Sequence, residues 1–132
     1  VLVAWRTGFS PVADSWPADL VQAARILRGD GRLLLVKDYG RDEVTRLLGD
    51  DERARQLIAF SHPKGPFLQA GFRVRVLHCW WRWETLEEAE EALVRSYGDE
   101  GRAVAQGMRR PRLAHKVAIY HADASLLAGL AA

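Results

Sequence analysis

The chain has 132 residues, 48% of them hydrophobic and 27% charged, with a net charge of +2. That suits one domain around one core and excludes a disordered or collagen-like chain. The charge balance is too mild to argue for nucleic acid by itself, and no apolar run approaches the roughly 20 residues of a membrane span.

A single cysteine, Cys79, cannot form an internal disulfide, which fits a reducing cytoplasm. No secretory signal is visible. The chain opens on Val1 rather than Met, so an upstream segment is expected to be missing or processed.

Residues 1–4 are an apolar run that Trp5 extends, the pattern of a strand buried on both faces. The loop "RTGFSPVADS" follows, then a helix with Ser15 as N-cap and Pro17 in its first turn. Leu20, Ala23, Ala24, Ile26 and Leu27 give that helix its apolar face. Gly29 and Gly31 turn the chain into the clearest buried strand, residues 33–36, which ends at Lys37, Asp38, Tyr39 and Gly40.

Asp42 is placed to cap a second helix carrying Val44, Leu47 and Leu48, and a further helical stretch holds Leu57, Ile58 and Phe60. "SHPKGPFLQAG" reads as a loop with at most a short helix around Phe67 and Leu68. In residues 72–83, Phe72, Val74 and Val76 alternate with Arg73 and Arg75, the period-2 pattern of a half-exposed strand. Thr85 and Glu88 form a capping box for a helix that Gly98 stops, and residues 99–108 suit one more short helix. "LAHKVAIYHA" reads as the last strand, and residues 123–132 as a tail with a terminal helix. Buried strands alternating with helices argue for a single α/β domain over residues 1–132 with a largely parallel sheet.

The segments "VLVAWRTGFSP", "WPADLVQAARILRGDGRLLLVKDYG", "FLQAGFRVRVLHCWWRW" and "HKVAIYHA" together resemble the C-terminal half of a class I, S-adenosylmethionine-dependent methyltransferase. They correspond to its fourth strand, its fifth strand with the preceding helix and Gly-rich turn, its sixth strand, and its closing antiparallel strand. The resemblance implies a three-layer, Rossmann-like half-sheet, strands ordered first, second, fourth, third, with the last strand antiparallel between its neighbours. The helices of residues 85–108 would be an insertion before that strand. The cofactor elements of the family, a glycine-rich turn after the first strand and an acidic tip on the second, have no counterpart among these residues. S-adenosylmethionine is therefore expected to bind only if a missing half is supplied from upstream or by a partner.

Sites in α/β folds collect at the C-terminal tips of parallel strands. That selects Trp5, Arg6 and Thr7 after the first strand and Asp38 and Tyr39 after the second. For a methyl acceptor, Trp5 would pack on it, Arg6 would hold an anionic group, and Asp38 would accept a proton or bond a hydroxyl. The plain alternative is that Asp38 caps its turn and Trp5 fills the edge of the core. His78 and Cys79 are too few for a zinc site and adjacent strand residues face opposite ways, so neither a metal nor a cysteine nucleophile is expected.

Three function classes remain. One is a methyltransferase-like domain acting as an interaction or small-molecule-binding module. A second is an active methyltransferase completed by its missing half. The third is a nucleic-acid binder whose arginines (Arg73, Arg75, Arg82, Arg109, Arg110 and Arg112) interleave with the tryptophans of "HCWWRW". The uncovered strand that begins at Val1 and ends at Trp5 predicts either a homodimer through that edge or a preceding segment that covers it.

Overall fold

The computed structural model describes all 132 residues. Its centre is β2 (Arg32–Asp38), the strand marked most clearly by the sequence. Leu33 and Leu35 are fully buried and Val36 nearly so. The strand is entered from α1 (Trp16–Ile26) through a turn in which the Gly31 N–H donates to the Arg28 carbonyl at 2.8 Å. A Cβ on Gly31 would stand 3.0 Å from that same carbonyl, so the residue has little room for a side chain.

β1 (Leu2–Trp5) runs parallel to β2, with Leu2 opposite Leu33 and Trp5 opposite Val36. β3 (Arg73–Arg82) and β4 (Arg112–Asp123) complete a four-stranded mixed sheet in the order β1-β2-β4-β3. The Ala124 N–H donates to the Gly31 carbonyl at 3.0 Å, and the Tyr39 N–H to the Lys116 carbonyl at 3.1 Å. Position rises along β2 as it falls along β4, so these two strands are antiparallel. The strand order is the one expected from the sequence.

The contacts divide the chain into two units. One comprises residues 1–38, 62–77 and 118–132. Its core joins Leu20 and Ala23 of α1, Leu33 and Leu35 of β2, and Ala118, Tyr120 and Ala122 of β4. The short helix α2, assigned here to Pro66–Gln69, contributes Phe67. Its ring stacks on Tyr120 with centroids 4.3 Å apart and meets Phe72 and Trp16 edge-on. A terminal helix, α3 (Ala124–Ala131), packs against α1 and buries Leu127. The Asp123 carboxylate caps it by accepting the Leu126 N–H.

The other unit comprises residues 39–61 and 78–117. It contains a 3-10 helix (Val44–Leu48), α4 (Glu52–Ser61) and α5 (Leu86–Gln106). Leu47, Leu93 and Leu113 form its core, with Trp81, Trp83, Tyr97 and Met108 packed around them. Two of the three tryptophans of "HCWWRW" thus pack with the inserted helices. Thr85 caps α5, accepting the Glu88 N–H at 3.1 Å. At Gly98 the backbone turns left-handed (φ 58°) and the helix resumes after it. The helix thus breaks at Gly98, where the sequence reading stopped it, and a second helical stretch follows.

Three local expectations are corrected. β1 is not buried on both faces: only Ala4 is buried, while Val3 is 51% and Trp5 68% exposed. As the terminal strand it has no neighbour on one side. Ser15 stands at the start of α1 without capping it, because its backbone is already helical and its hydroxyl donates to Asp19 instead. Asp42 does accept the Thr45 N–H, but the element it caps is a 3-10 helix. No helix is long and apolar enough to cross a membrane.

Candidate functional site

Three non-glycine residues adopt left-handed backbone: Arg6 (φ 55°), Phe9 (φ 52°) and Arg41 (φ 55°). All three follow the C-terminal ends of the first two strands. Such conformations cost about 1 kcal/mol or more each and cluster where a fold holds a functional loop.

At the tip of β1 the ladder continues one residue past the strand, the Arg6 N–H donating to the Val36 carbonyl at 2.9 Å. The left-handed turn at Arg6 starts from this fixed point. Its guanidinium reaches the tip of β2, where Nη2 donates to Asp38 Oδ2 at 2.6 Å. The pair is exposed enough for a solute to reach either member, with side chains 53% and 34% accessible. Two of the residues singled out from the sequence are therefore brought together. Trp5 and Thr7 flank Arg6 and are exposed. Tyr39 follows Asp38 in sequence but belongs to the second unit, where its N–H is bound to Lys116.

Sequence reasoning missed Lys37. Its ammonium donates to the Gly8 carbonyl at 3.1 Å and lies 5.9 Å from the centre of the Phe67 ring. Burial of the side chain lowers its pKa from the ordinary lysine value of 10.5. The signal available was a lone lysine directly after an apolar strand, at the same tip as Asp38. The site thus offers an exposed guanidinium–carboxylate pair, while Lys37, adjacent to Asp38 on the strand and so facing the opposite way, turns its ammonium to Gly8 and Phe67. An accessible ion pair of this kind can hold a small polar solute by charge-assisted hydrogen bonds.

In the second unit, Arg112 lies over the exposed Trp80 ring, its guanidinium carbon 4.2 Å from the centroid. One face of that indole is therefore occupied by an arginine of the same chain. Trp81 donates through Nε1 to His115 Nδ1 at 3.2 Å, which fixes the His115 proton on Nε2 when the ring is neutral. Cys79 is exposed. No group of three or more His, Cys, Asp or Glu side chains is gathered closely enough to hold a metal ion.

No family model matches the chain, and comparison with curated proteins and with solved structures finds no match either.

Proposed function

We propose that the chain is a methyltransferase-like α/β domain that acts as a small-molecule-binding or interaction module, without a complete S-adenosylmethionine site within these residues. The observation that carries the reading is the sheet order β1-β2-β4-β3 with β4 antiparallel to β2. That is the arrangement of the back half of a methyltransferase sheet. In this reading the cofactor half would adjoin β1, whose outer edge is apolar and open. Arg6 and Asp38 are then the polar groups that meet a ligand, with Trp5 and Thr7 beside Arg6 in the chain.

The open edge of β1 also favours a second reading: an active methyltransferase whose cofactor half is supplied upstream or by a partner. Calorimetric titration of the intact protein with S-adenosylmethionine separates the two. The first reading expects no saturable heat. Saturable binding selects the second and overturns the first. Salt-sensitive retention of single-stranded nucleic acid would instead move the site to the Trp80 surface.

A further inference from the structure

The second unit contains an open cleft of about 530 Å³, within the size range of small-molecule sites. We infer that it binds a small monoanion with an apolar body: an aryl or branched-alkyl carboxylate.

The apolar part of the cleft is formed by Ala54, Ile58 and Ala114. Ile58 is 44% exposed, so it presents apolar surface that a ligand body would remove from water. The charged part is formed by Arg41, Arg46 and Lys116, none of which makes an ion pair. Arg41 uses only its Nε, which donates to Ser61 Oγ at 2.7 Å.

The two carboxylates of the cleft are already committed to the backbone. Asp42 accepts the Thr45 N–H through Oδ1 and the Lys116 N–H through Oδ2, at 2.8 and 2.6 Å. Glu43 accepts the Ala114 N–H through Oε1 at 2.9 Å. They build the cleft wall, and their attachment to the main chain leaves the cation head groups facing no dedicated acid. Three cations against two carboxylates leave one net positive charge, which matches a monoanion better than a phosphate dianion.

The backbone marks the same loop. Gly40 (φ 77°) and Arg41 (φ 55°) are consecutive left-handed residues at the entrance to this loop. A Cβ on Gly40 would stand 3.1 Å from Leu57 Cβ, so the turn also passes close to α4. The strained arginine is anchored through Nε to Ser61 Oγ, which leaves its two terminal nitrogens for a ligand.

The test is a titration of the full chain with phenylacetate, 4-methylvalerate, benzyl alcohol, benzylamine and benzyl phosphate, followed by amide and methyl NMR shifts and by calorimetry. The two carboxylates are expected to bind with a Kd of about 1 mM or tighter and to shift Ile58, Ala114 and Lys116. Arg41→Gly, which relieves the left-handed strain but loses the Ser61 bond, and Lys116→Gln should each weaken that binding about tenfold with the melting temperature within a few degrees of the parent's. The proposal is overturned if the carboxylates do not bind or if benzyl alcohol or benzylamine binds equally well. It is also overturned if both variants bind like the parent, and tighter binding of benzyl phosphate would replace the carboxylate class with a phosphate ester.

Discussion

Arg6 and Asp38 stand 32 positions apart in the sequence and meet at 2.6 Å at the tips of two adjacent parallel strands. The contact ties the left-handed loop after β1 to the end of β2. Because both side chains are substantially accessible, solvent screens the pair, and its coupling should be small, about 0.2–1 kcal/mol. A double-mutant cycle with Arg6→Ala and Asp38→Ala, read by urea unfolding, measures it. Arg6→Gly should be at least as stable as Arg6→Ala, since glycine accepts φ 55° without strain. A larger loss in the glycine variant would show that the entropy glycine adds to the unfolded chain outweighs the strain it relieves at φ 55°.

Lys37 makes a signed pH prediction. Its pKa in the folded protein lies below the ordinary value of 10.5 because burial disfavours the charged form. Between the lowered value and the unfolded one, the unfolded chain binds more protons than the folded chain. Unfolding free energy should therefore rise with pH across that window on account of this group, and its destabilising contribution should be fully present at lower pH. The measurement is urea stability from about pH 8 upward for the parent and for Lys37→Met. The parent should gain on the variant as pH rises. An unchanged difference would mean that the ammonium is not desolvated.

The legible and illegible parts of this fold divide along physical lines. Leu33, Leu35 and the Thr85 cap are local signals, periodicity and cap chemistry, and the structure has them as read, the capping box with its Thr85 half alone, Glu88 N–H donating to Thr85 Oγ. The strand order came with the resemblance rather than from periodicity. The exposure of Val3 and Trp5 was misjudged because an apolar tetrapeptide looks the same in a strand with two neighbours as in one with a single neighbour. Arg6 and Asp38 were chosen by their place at strand tips, but their pairing depends on the register of β1 with β2. Lys37 and Arg41 were missed for another reason: a lysine after an apolar strand was the one sign of the first, and desolvation and left-handed backbone at an arginine are products of tertiary packing.

Two glycines of α5 should behave differently. At Gly98 a Cβ meets nothing within 4 Å, so Gly98→Ala costs only the strain of a backbone (φ 58°, ψ −128°) that other residues rarely adopt, about 1–3 kcal/mol. At Gly101 a Cβ would stand 2.1 Å from the Leu93 carbonyl oxygen, and main chain cannot step aside as a side-chain end can. Gly101→Ala should therefore be clearly the more damaging in thermal unfolding. Equal effects would mean that the kink at Gly98 relaxes to admit the methyl group.

The aromatic stack of the first unit is the place where one deletion should cost most. Phe67 is 0% and Tyr120 1% exposed, and their rings lie 4.3 Å apart. Removing a buried phenylalanine ring typically costs about 3–5 kcal/mol, a large share of the roughly 5–15 kcal/mol of a domain's whole stability. Phe67→Ala should be largely unfolded or shifted to much lower urea midpoints, while Phe67→Leu should retain the fold at smaller cost.

The two edges of the sheet invite opposite expectations. β3 carries Arg73, Arg75 and Arg82 along its length, and charges on an edge oppose pairing with another chain. β1 carries none between Leu2 and Trp5, and exposes Val3 and Trp5. Two copies would therefore meet β1 to β1, an isologous contact about a two-fold axis. Light scattering over a concentration series should give a dimer of the present chain, and Val3→Lys should return it to a monomer without lowering its melting temperature by more than a few degrees. A parent protein that stays monomeric at every concentration would remove the homodimer. If a longer chain stays monomeric while the present one dimerises, the edge is covered by its own preceding segment, as the methyltransferase-like reading also allows.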